Sequence, residues 1–324
     1  MRQEAYFCTV KELDELGKNN IPRQLISHTH LIYSSPATLA FNSPGAEGFG
    51  VKRAGLAVPD SVMLIVSPGC CGRNTSVLSS MRAYQDRFYY LLMDETDIVT
   101  GRHLKKIPKA VAEICEGLKK KPSVVMICIT CVDALLGTDM ERVCHKAEEY
   151  AGVPVRPCYM YALTREGRKP PMVHVRQSVY SLLEPKKKKG NVVNLLGYFS
   201  PLTDDCELYD LLHGAGVKTI HEISRCKDYA QYQTMSEANF NLVLHPEARF
   251  AAEDFHDRLK IPYIELRRLY QIDKIASQYR AFAAALGVEF EDEIPRKAAE
   301  EAVEKFRKIH PDAVFAVGEW MNGD

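Results

Sequence analysis

The chain has 324 residues, 46% of them hydrophobic, which is enough for two hydrophobic cores of ordinary domain size. Its 42 basic and 42 acidic side chains give a formal net charge of zero and are spread evenly, so the basic surface typical of nucleic-acid binding is not indicated. No apolar run approaches the roughly eighteen residues of a membrane helix, and the polar N-terminus does not resemble a signal peptide. We therefore expect a cytoplasmic protein that binds neither nucleic acid nor membrane.

The chain contains ten cysteines. In a reducing compartment, clustered thiols indicate metal or redox chemistry in preference to structural disulfides. Some of the ten fall in segments typical of helix or loop packing, where a free cysteine is commonly a buried apolar side chain. These are Cys115, Cys144, Cys206 and Cys226.

The first predicted element is a short helix over residues 10–16. Residues 42–55 are rich in glycine, but they precede a strand instead of following one, so they do not form a dinucleotide-binding fingerprint. This segment predicts a loop in which the backbone approaches a neighbour closely.

A continuous apolar run over residues 62–67, ended by a Pro-Gly pair, predicts a strand buried on both faces. The loop after this strand holds Cys70 and Cys71 between Gly69 and Gly72. Two adjacent thiols at the end of a buried strand are candidates for metal ligation.

Helices and strands alternate in the next hundred residues, which predicts a parallel sheet. The predicted elements are a helix over 76–92, an amphipathic helix over 104–120, a strand over 124–130, a helix over 139–150, a short strand over 153–156 and a helix over 172–183. The strand over 124–130 leads directly to Cys131. Because the carboxyl ends of parallel strands meet at one edge, where ligands collect, we expect Cys70, Cys71 and Cys131 to converge there.

The lysine-rich residues 184–190 predict a domain boundary, after which brief apolar strands again alternate with helices. The strands cover 191–196, 217–220, 241–245 and 261–265, and the helices cover 206–213, 248–259 and 272–286. A helix over 294–309 and a strand-like run over 312–318 either begin a truncated third domain or return to the first sheet. The predicted fold class is α/β, with two doubly wound, Rossmann-like domains over 1–185 and 190–290 and a partial third over 291–324.

Motifs in both halves resemble the nitrogenase component 1 superfamily. They are Ser67-Pro-Gly-Cys-Cys-Gly72, Asp97-Ile-Val-Thr-Gly101, Thr130-Cys-Val-Asp-Ala-Leu-Leu-Gly-Thr-Asp139, Val193-Asn-Leu-Leu-Gly197 and Ala238-Asn-Phe-Asn-Leu-Val243. This superfamily includes the nitrogenase molybdenum-iron protein chains, the dark-operative protochlorophyllide and chlorin reductase subunits, and the reductive cyclase subunit of coenzyme F430 synthesis. The resemblance spans most of the chain.

The resemblance implies a [4Fe-4S] cluster held by cysteine loops at a subunit interface. It assigns metal-ligand roles to Cys71 and Cys131. The upstream cysteine of the superfamily has no counterpart here, so Cys70 or Glu47 would be the third ligand. The residues that would line the cofactor are Gly69, Gly72 and Thr130. In a homodimer, two copies each of Cys71 and Cys131 would supply four thiolates to one cluster; a related second subunit is the other possible partner.

The chain has no G-x-x-x-x-G-K-[ST] motif and should not hydrolyse ATP itself. The resemblance implies a nitrogenase-iron-protein-like ATPase as the electron donor and an unidentified substrate as the acceptor. Two alternatives remain open, namely a non-catalytic scaffold or carrier for a metallocluster and a small-molecule binding module with buried cysteines. No catalytic residue is assigned, and the substrate-side candidates His245, Arg249 and Glu319 compete with an interpretation as ordinary polar loop groups.

Overall fold

A computed structural model gives the fold of the chain. It describes residues 8–17, 19–20, 22, 44–69, 82, 84–160, 169, 171–267 and 269–314. Within these residues lie two four-stranded sheets, and every neighbouring strand pair in both sheets is parallel.

The first sheet has the strand order β2-β1-β3-β4. Its strands are β1 Val62–Ser67, β2 Phe88–Leu92, β3 Val125–Ile129 and β4 Val155–Tyr159. The helices of this half are α1 Val10–Leu16, α2 Pro44–Gly55, α3 Glu95–Thr100, α4 His103–Gly117, α5 Cys131–Leu136, α6 Met140–Ala151 and α7 Pro171–Tyr180. Every residue of β1 and β3 is buried, because helices cover both faces of the two central strands.

The second sheet has the strand order β6-β5-β7-β8. Its strands are β5 Val192–Leu196, β6 Thr219–His221, β7 Phe240–Val243 and β8 Tyr263–Glu265. The helices of this half are α8 Glu207–Gly214, α9 Tyr229–Gln233, α10 Arg249–Leu259, α11 Ile272–Leu286 and α12 Glu293–Ile309. As in the first sheet, the central strand β5 is buried along its whole length.

One hydrophobic core joins the two sheets. It contains Met63 and Met126 from the first sheet together with Tyr232 and Phe255 from the second half, all of them fully buried. Helix α7 contributes Val179 to this core, and the Val179 carbonyl accepts a hydrogen bond from the Tyr232 hydroxyl. The two sheets are therefore parts of one packed body.

The glycine-rich segment forms helix α2, so the predicted loop is wrong. Gly55, the last residue of α2, lies so close to the first sheet that a Cβ atom there would come within 2.7 Å of Met63 Cε and 2.9 Å of Cys158 Sγ. Glycine costs a helix about 1 kcal/mol per residue, and tertiary packing routinely overrides such a preference. The close approach that the glycines predict is present, but it is made by a helix.

The predicted helix over 76–92 is wrong at its end, where Phe88–Leu92 form strand β2. Only Phe88 of this edge strand is buried, whereas Tyr90 and Leu92 are exposed, so its burial pattern differs from that of a central strand. Its Phe-Tyr-Tyr sequence is nevertheless typical of strands. The segment after β2 contains α3, which begins with a capping box formed by Asp94 and Asp97.

The other predicted helices and strands between residues 104 and 309 are confirmed in type, with ends shifted by a few residues. Residues 76–81 of the predicted helix and residues 315–318 of the predicted strand-like run lie outside the described residues, and residues 312–314 are not in a strand. The prediction of an α/β fold with two doubly wound parallel sheets is also confirmed. Helix α12 has no buried residue, and the predicted third domain stays a prediction. None of the helices in the described ranges is long and apolar enough to cross a membrane.

Candidate functional site

Two buried hydroxyl side chains lie at the carboxyl ends of the two central strands of the first sheet. The strand register pairs Val66 with Ile129; Ser67 is the last residue of β1, and Thr130 directly follows β3. Ser67 is 0% exposed and Thr130 is 1% exposed, and neither hydroxyl oxygen has a hydrogen-bond partner in the described part of the chain. Since buried hydroxyls are normally paired, each is a candidate donor to a bound group.

The Ser67 side chain lies on the face of the first sheet that α2 and α7 cover. Ile65 belongs to the core shared with α2 and α7, whereas Val66, one residue further, belongs to the core beside α4. Because side chains alternate along a strand, one more step along β1 returns Ser67 to the α2–α7 face.

The residues predicted to hold a cluster are close to this edge in sequence. Cys131 follows Thr130 and is the first residue of α5. Glu47 lies in α2, and Gly69 lies two residues beyond the end of β1. The predicted site residues that lie outside the described ranges are Cys70, Cys71 and Gly72. Among the residues that are described, no group of three or more His, Cys, Asp or Glu side chains is placed to hold a metal ion, so the ligand set stays a prediction.

A buried histidine–aspartate pair holds α5 against its neighbouring helices. His103 Nε2 lies 2.9 Å from Asp133 Oδ1, and His103 Nδ1 lies 3.0 Å from the Asp97 carbonyl oxygen. Both paired side chains are at most 1% exposed. The Thr138 hydroxyl also donates to Asp133 Oδ1, at 3.1 Å. Because Asp133 is two residues after Cys131, these bonds fix the turn that begins at Cys131.

The Asp97 carboxylate ties α3 to α4. Arg102 Nε donates to Asp97 Oδ1 and Lys106 Nζ donates to Asp97 Oδ2, each at 2.7 Å. Lys106 and Arg102 hold the pKa of the Asp97 carboxyl well below its ordinary value. The carboxylate therefore stays ionised at neutral pH and supports the helix that carries His103.

Several described cysteines are unsuited to metal ligation. Burial raises the pKa of Cys158 well above that of an ordinary thiol, and burial raises the pKa of Cys226 to about 11. Burial also raises the pKa of Cys144 strongly. Because the thiolate is the form that binds metal, these side chains are packing residues, as the sequence predicts for Cys144 and Cys226.

A cavity of about 860 Å³ opens between α2, α7 and the carboxyl edge of the second sheet. The loops after β5, β6 and β7 contribute Phe199, Ser224 and His245 to its wall, while the helices contribute Arg53 and Met172. The chain passes from β5 to β6 on one side of the sheet and then crosses back to β7 on the other side of β5, so the strand order reverses at β5. Crevices at such switch points are where α/β sheets bind ligands. This cavity is a second candidate site.

A buried ion pair supports the wall of the cavity. Arg176 Nη1 lies 2.7 Å from Glu247 Oε2, and the side chains are 5% and 6% exposed. Arg176 also donates through Nε and Nη2 to the Gly197 carbonyl, at 3.1 and 2.6 Å. A Cβ atom on Gly197, whose φ is +138°, would come within 2.8 Å of the His245 backbone nitrogen. The loops after β5 and β7 are thus held together at close range.

The cavity wall carries more basic than acidic side chains. The basic ones are Arg53, Arg87, Arg176 and Lys227, and the acidic ones are Asp60 and Glu247. Arg87 donates to the carbonyls of Leu56 and Ser61 at 2.8 and 2.9 Å, and burial lowers its pKa. The surplus of positive charge favours an anionic ligand.

The sequence model of the nitrogenase component 1 type oxidoreductases matches residues 47–314. The chain belongs to this family. The matched range includes both sheets and the cavity, and the resemblance drawn from the motifs is confirmed.

Proteins similar to this chain include the nitrogenase iron-molybdenum cofactor biosynthesis protein NifE from several organisms. NifE from Nostoc sp. is 27% identical over 239 residues, which are 71% of this chain and 49% of that protein. NifE from Klebsiella pneumoniae is 26% identical over 266 residues, covering 75% and 58%. NifE from Methanococcus maripaludis is 24% identical over 283 residues, covering 85% and 57%. This family member therefore spans about half the length of these relatives.

Solved structures with a similar fold include nitrogenase Cp1. The structure at pH 6.5 gives a TM-score of 0.58 at 18% identity and covers 82% of this chain and 61% of that one. The structure at pH 5 gives a TM-score of 0.53 at 21% identity. At such identities the likeness concerns the fold alone, and it agrees with the two doubly wound sheets of this family member.

Sequence reasoning did not find every residue of the two candidate sites. Ser67 ends the same apolar run that precedes the cysteine loop, so its position at a strand end was an available signal. His103 and Asp133 carry no such signal, since they are thirty residues apart in the chain. Of the substrate-side candidates, His245 lines the cavity, whereas Arg249 is paired with Glu265 at 2.6 Å. Glu319 lies outside the described residues.

Proposed function

We propose that the protein is an iron–sulfur redox subunit that accepts low-potential electrons from an ATP-dependent, iron-protein-like reductase and reduces a small-molecule substrate. The observation that carries the proposal is the pair of buried hydroxyls at the carboxyl edge of the first sheet, Ser67 at the end of β1 and Thr130 directly before Cys131. Hydroxyls without a partner among the described residues fit a neighbouring group rich in acceptors, such as the sulfides and thiolates of an iron–sulfur cluster. Membership of an oxidoreductase family supports redox chemistry at this edge.

Cys71 and Cys131 would hold a [4Fe-4S] cluster, because each follows a central strand of the same sheet and thiolates are the usual ligands. Cys70 or Glu47 would complete the set within one chain. In a homodimer, two copies each of Cys71 and Cys131 would instead provide four thiolates at the interface. The cluster, when bound, supplies one-electron transfer at low potential. The protein supplies the ligands, the hydrogen-bond donors and the apolar surroundings.

The substrate would bind in the cavity at the carboxyl edge of the second sheet. Its volume of about 860 Å³ lies within the range of small-molecule sites. The basic wall suits a substrate that carries a carboxylate or another anionic group. His245 and Phe199 on the strand-end loops, with Arg53 on α2, are the side chains that we expect to contact it.

A second function is favoured by a specific observation. The NifE relatives are named as cofactor biosynthesis proteins, which supports a scaffold that assembles or carries a metallocluster without reducing a substrate. Such a scaffold would use the same cysteines and the same sheet edge. The two functions differ in whether electrons leave the protein on a substrate or the cluster leaves as a whole.

The test is an anaerobic electron-transfer assay with an iron-protein-like reductase from the same source. For a redox subunit we expect ATP-dependent reduction of the EPR-active cluster, followed by reoxidation on addition of substrate while iron stays bound. A scaffold would instead lose its iron to an apo-acceptor without net oxidation. Absence of iron and sulfide after anaerobic reconstitution would reject both functions and leave the small-molecule binding module.

A further inference from the structure

We infer that α12 is an interaction surface for a second copy of this chain, and that the two copies of α12 pair antiparallel through their apolar sides. This surface lies outside both candidate sites. The inference therefore does not depend on the proposed function.

The apolar side chains of α12 form one stripe along the helix. They follow one another at intervals of three or four residues, which places them on the same side, and all of them are exposed. The stripe consists of Ile294, Ala298, Ala302, Phe306 and Ile309. Ile294 is 83% exposed and Ile309 is 62% exposed. Lys305 lies at the edge of the stripe, where its aliphatic stem extends the apolar surface.

The body of the chain contacts α12 only near its first turns. Pro295 and Ala299 are half-buried, and Arg296 Nη2 lies 3.6 Å from Asp273 Oδ1 of α11. Every residue of α12 from Glu300 onward is exposed. The described part of the chain thus anchors the helix at its start and leaves the apolar stripe uncovered.

The charges of α12 indicate the kind of partner. The helix carries five basic and four acidic side chains, whereas a helix that binds membranes or nucleic acid has a predominantly basic polar side. The charges are also separated along the helix. Asp292 and Glu293 stand at its start, and Lys305, Arg307 and Lys308 stand in its last turns. An antiparallel second copy brings opposite charges together, while a parallel copy would bring like charges together.

One antiparallel register fits the sizes of the side chains. In this register Ile294 of one copy lies level with Phe306 of the second copy. Ala298 then lies level with Ala302 of the second copy, so four small side chains meet in the middle of the pair. Small residues allow two helices to approach closely, and the large apolar side chains pack against each other on either side.

The same register matches the charges at both ends. Asp292 lies level with Lys308 of the second copy, and Glu293 lies level with Arg307. Twofold symmetry repeats these two pairs at the other end of the helix pair. Glu293 and Lys308 each also pair within their own helix, but exposed pairs of that kind are weak. Size and charge therefore select the same partner in the same register.

The experiment measures the oligomeric state of the full-length protein by sedimentation equilibrium over a range of concentrations. One helix pair is smaller than a standard interface of about 1,200–2,000 Å², so we expect a reversible dimer in the wild type. Phe306→Glu and Ile294→Glu place a charge in the stripe and should each raise the dissociation constant at least about tenfold. Both should keep the wild-type urea midpoint, because neither residue is buried. The control is Tyr150→Glu at the end of α6, where the tyrosine is 57% exposed, and it should dimerise as the wild type does.

Two charge variants test the orientation. Asp292→Lys/Glu293→Lys makes both ends of α12 basic, and Arg307→Glu/Lys308→Glu makes both ends acidic. Each variant alone should dimerise more weakly than the wild type, and an equimolar mixture of the two should form heterodimers. In a parallel pair each variant alone would dimerise as the wild type does, because like charges already meet there.

Several results would overturn the inference. A wild type that stays monomeric at every concentration would show that no second copy binds. A dimer that persists in both Phe306→Glu and Ile294→Glu, including one that forms only after iron uptake, would show that the interface lies elsewhere. A monomeric wild type that sediments with phosphatidylserine and phosphatidylcholine vesicles would assign the stripe to a membrane surface.

Discussion

Replacing Arg176 by methionine tests how the cavity wall is held. The substitution leaves the Glu247 carboxylate buried without the guanidinium that lies 2.7 Å away, and the Gly197 carbonyl loses two donors. The Glu247 side chain is only 6% exposed, so hydration by solvent compensates for little of this loss. Breaking a buried ion pair by removing one partner costs roughly 3–5 kcal/mol, and we expect Arg176→Met to lower the free energy of unfolding by that amount.

The matched control is Arg249→Met. Arg249 also pairs with a glutamate, Glu265, at 2.6 Å, but it is 56% exposed. An exposed pair contributes about 0–1 kcal/mol, so this variant should be close to wild type. The assay is urea denaturation followed by circular dichroism for both variants and for the double variant Arg176→Met/Glu247→Leu.

The double variant separates charge burial from packing. Without Glu247 no unpaired charge remains, so we expect the double variant to be more stable than Arg176→Met. It should still be about 1–3 kcal/mol less stable than wild type, because the Gly197 carbonyl has lost its donors. The reasoning is refuted if Arg176→Met costs no more than Arg249→Met. It is also refuted if adding Glu247→Leu to Arg176→Met lowers the free energy of unfolding further.

Two further predictions concern the supports of the first sheet. Gly55→Ala should lower the free energy of unfolding by about 1–2 kcal/mol, because overpacking against Met63 and Cys158 outweighs the gain in helix propensity. The control is Gly117→Ala at the end of α4, where nothing lies within 4 Å of the added Cβ. In urea denaturation this control should be as stable as wild type or more stable. The pKa of Asp97 is lower in the folded protein than its ordinary value of 3.8. The ionised Asp97 carboxylate therefore stabilises the fold above about pH 4, and this stabilisation is lost as the pH falls toward the folded pKa. The stability difference between wild type and Asp97→Asn should therefore shrink from neutral pH to about pH 3, and an equal difference at both pH values would contradict this assignment.

The central strands were predictable because a strand buried on both faces has a continuous run of apolar residues in its sequence. Such a run marks β1 and β3, and in β5 it is interrupted by Asn194; all three strands are buried along their whole length. The edge strand β2 is also apolar, but short apolar runs occur in helices as well as in strands, so its type was ambiguous until its pairing with β1 was known. Helix α2 was not predicted, because its glycines have low helix propensity. Its packing on the sheet nevertheless requires a glycine at position 55, where a Cβ atom would contact Met63 and Cys158.

The candidate site was predictable only as far as topology determines it. The order of strands places the ends of β1 and β3 side by side, which is why Cys131 and the loop after Ser67 were expected to meet. The His103–Asp133 pair depends on the relative placement of α4 and α5, which no local pattern encodes. The cavity depends likewise on how the two sheets share one core.

The most direct test of the account is the iron and acid-labile sulfide content of anaerobically reconstituted protein, with the EPR spectrum of the dithionite-reduced form. We compare wild type with Cys71→Ala, Cys131→Ala and the control Cys206→Ala. Burial raises the pKa of the Cys206 thiol, so this residue is not expected to bind metal. The account predicts a cluster signal in wild type and Cys206→Ala and its loss in the other two variants. Full iron content and an unchanged signal in both Cys71→Ala and Cys131→Ala would contradict it.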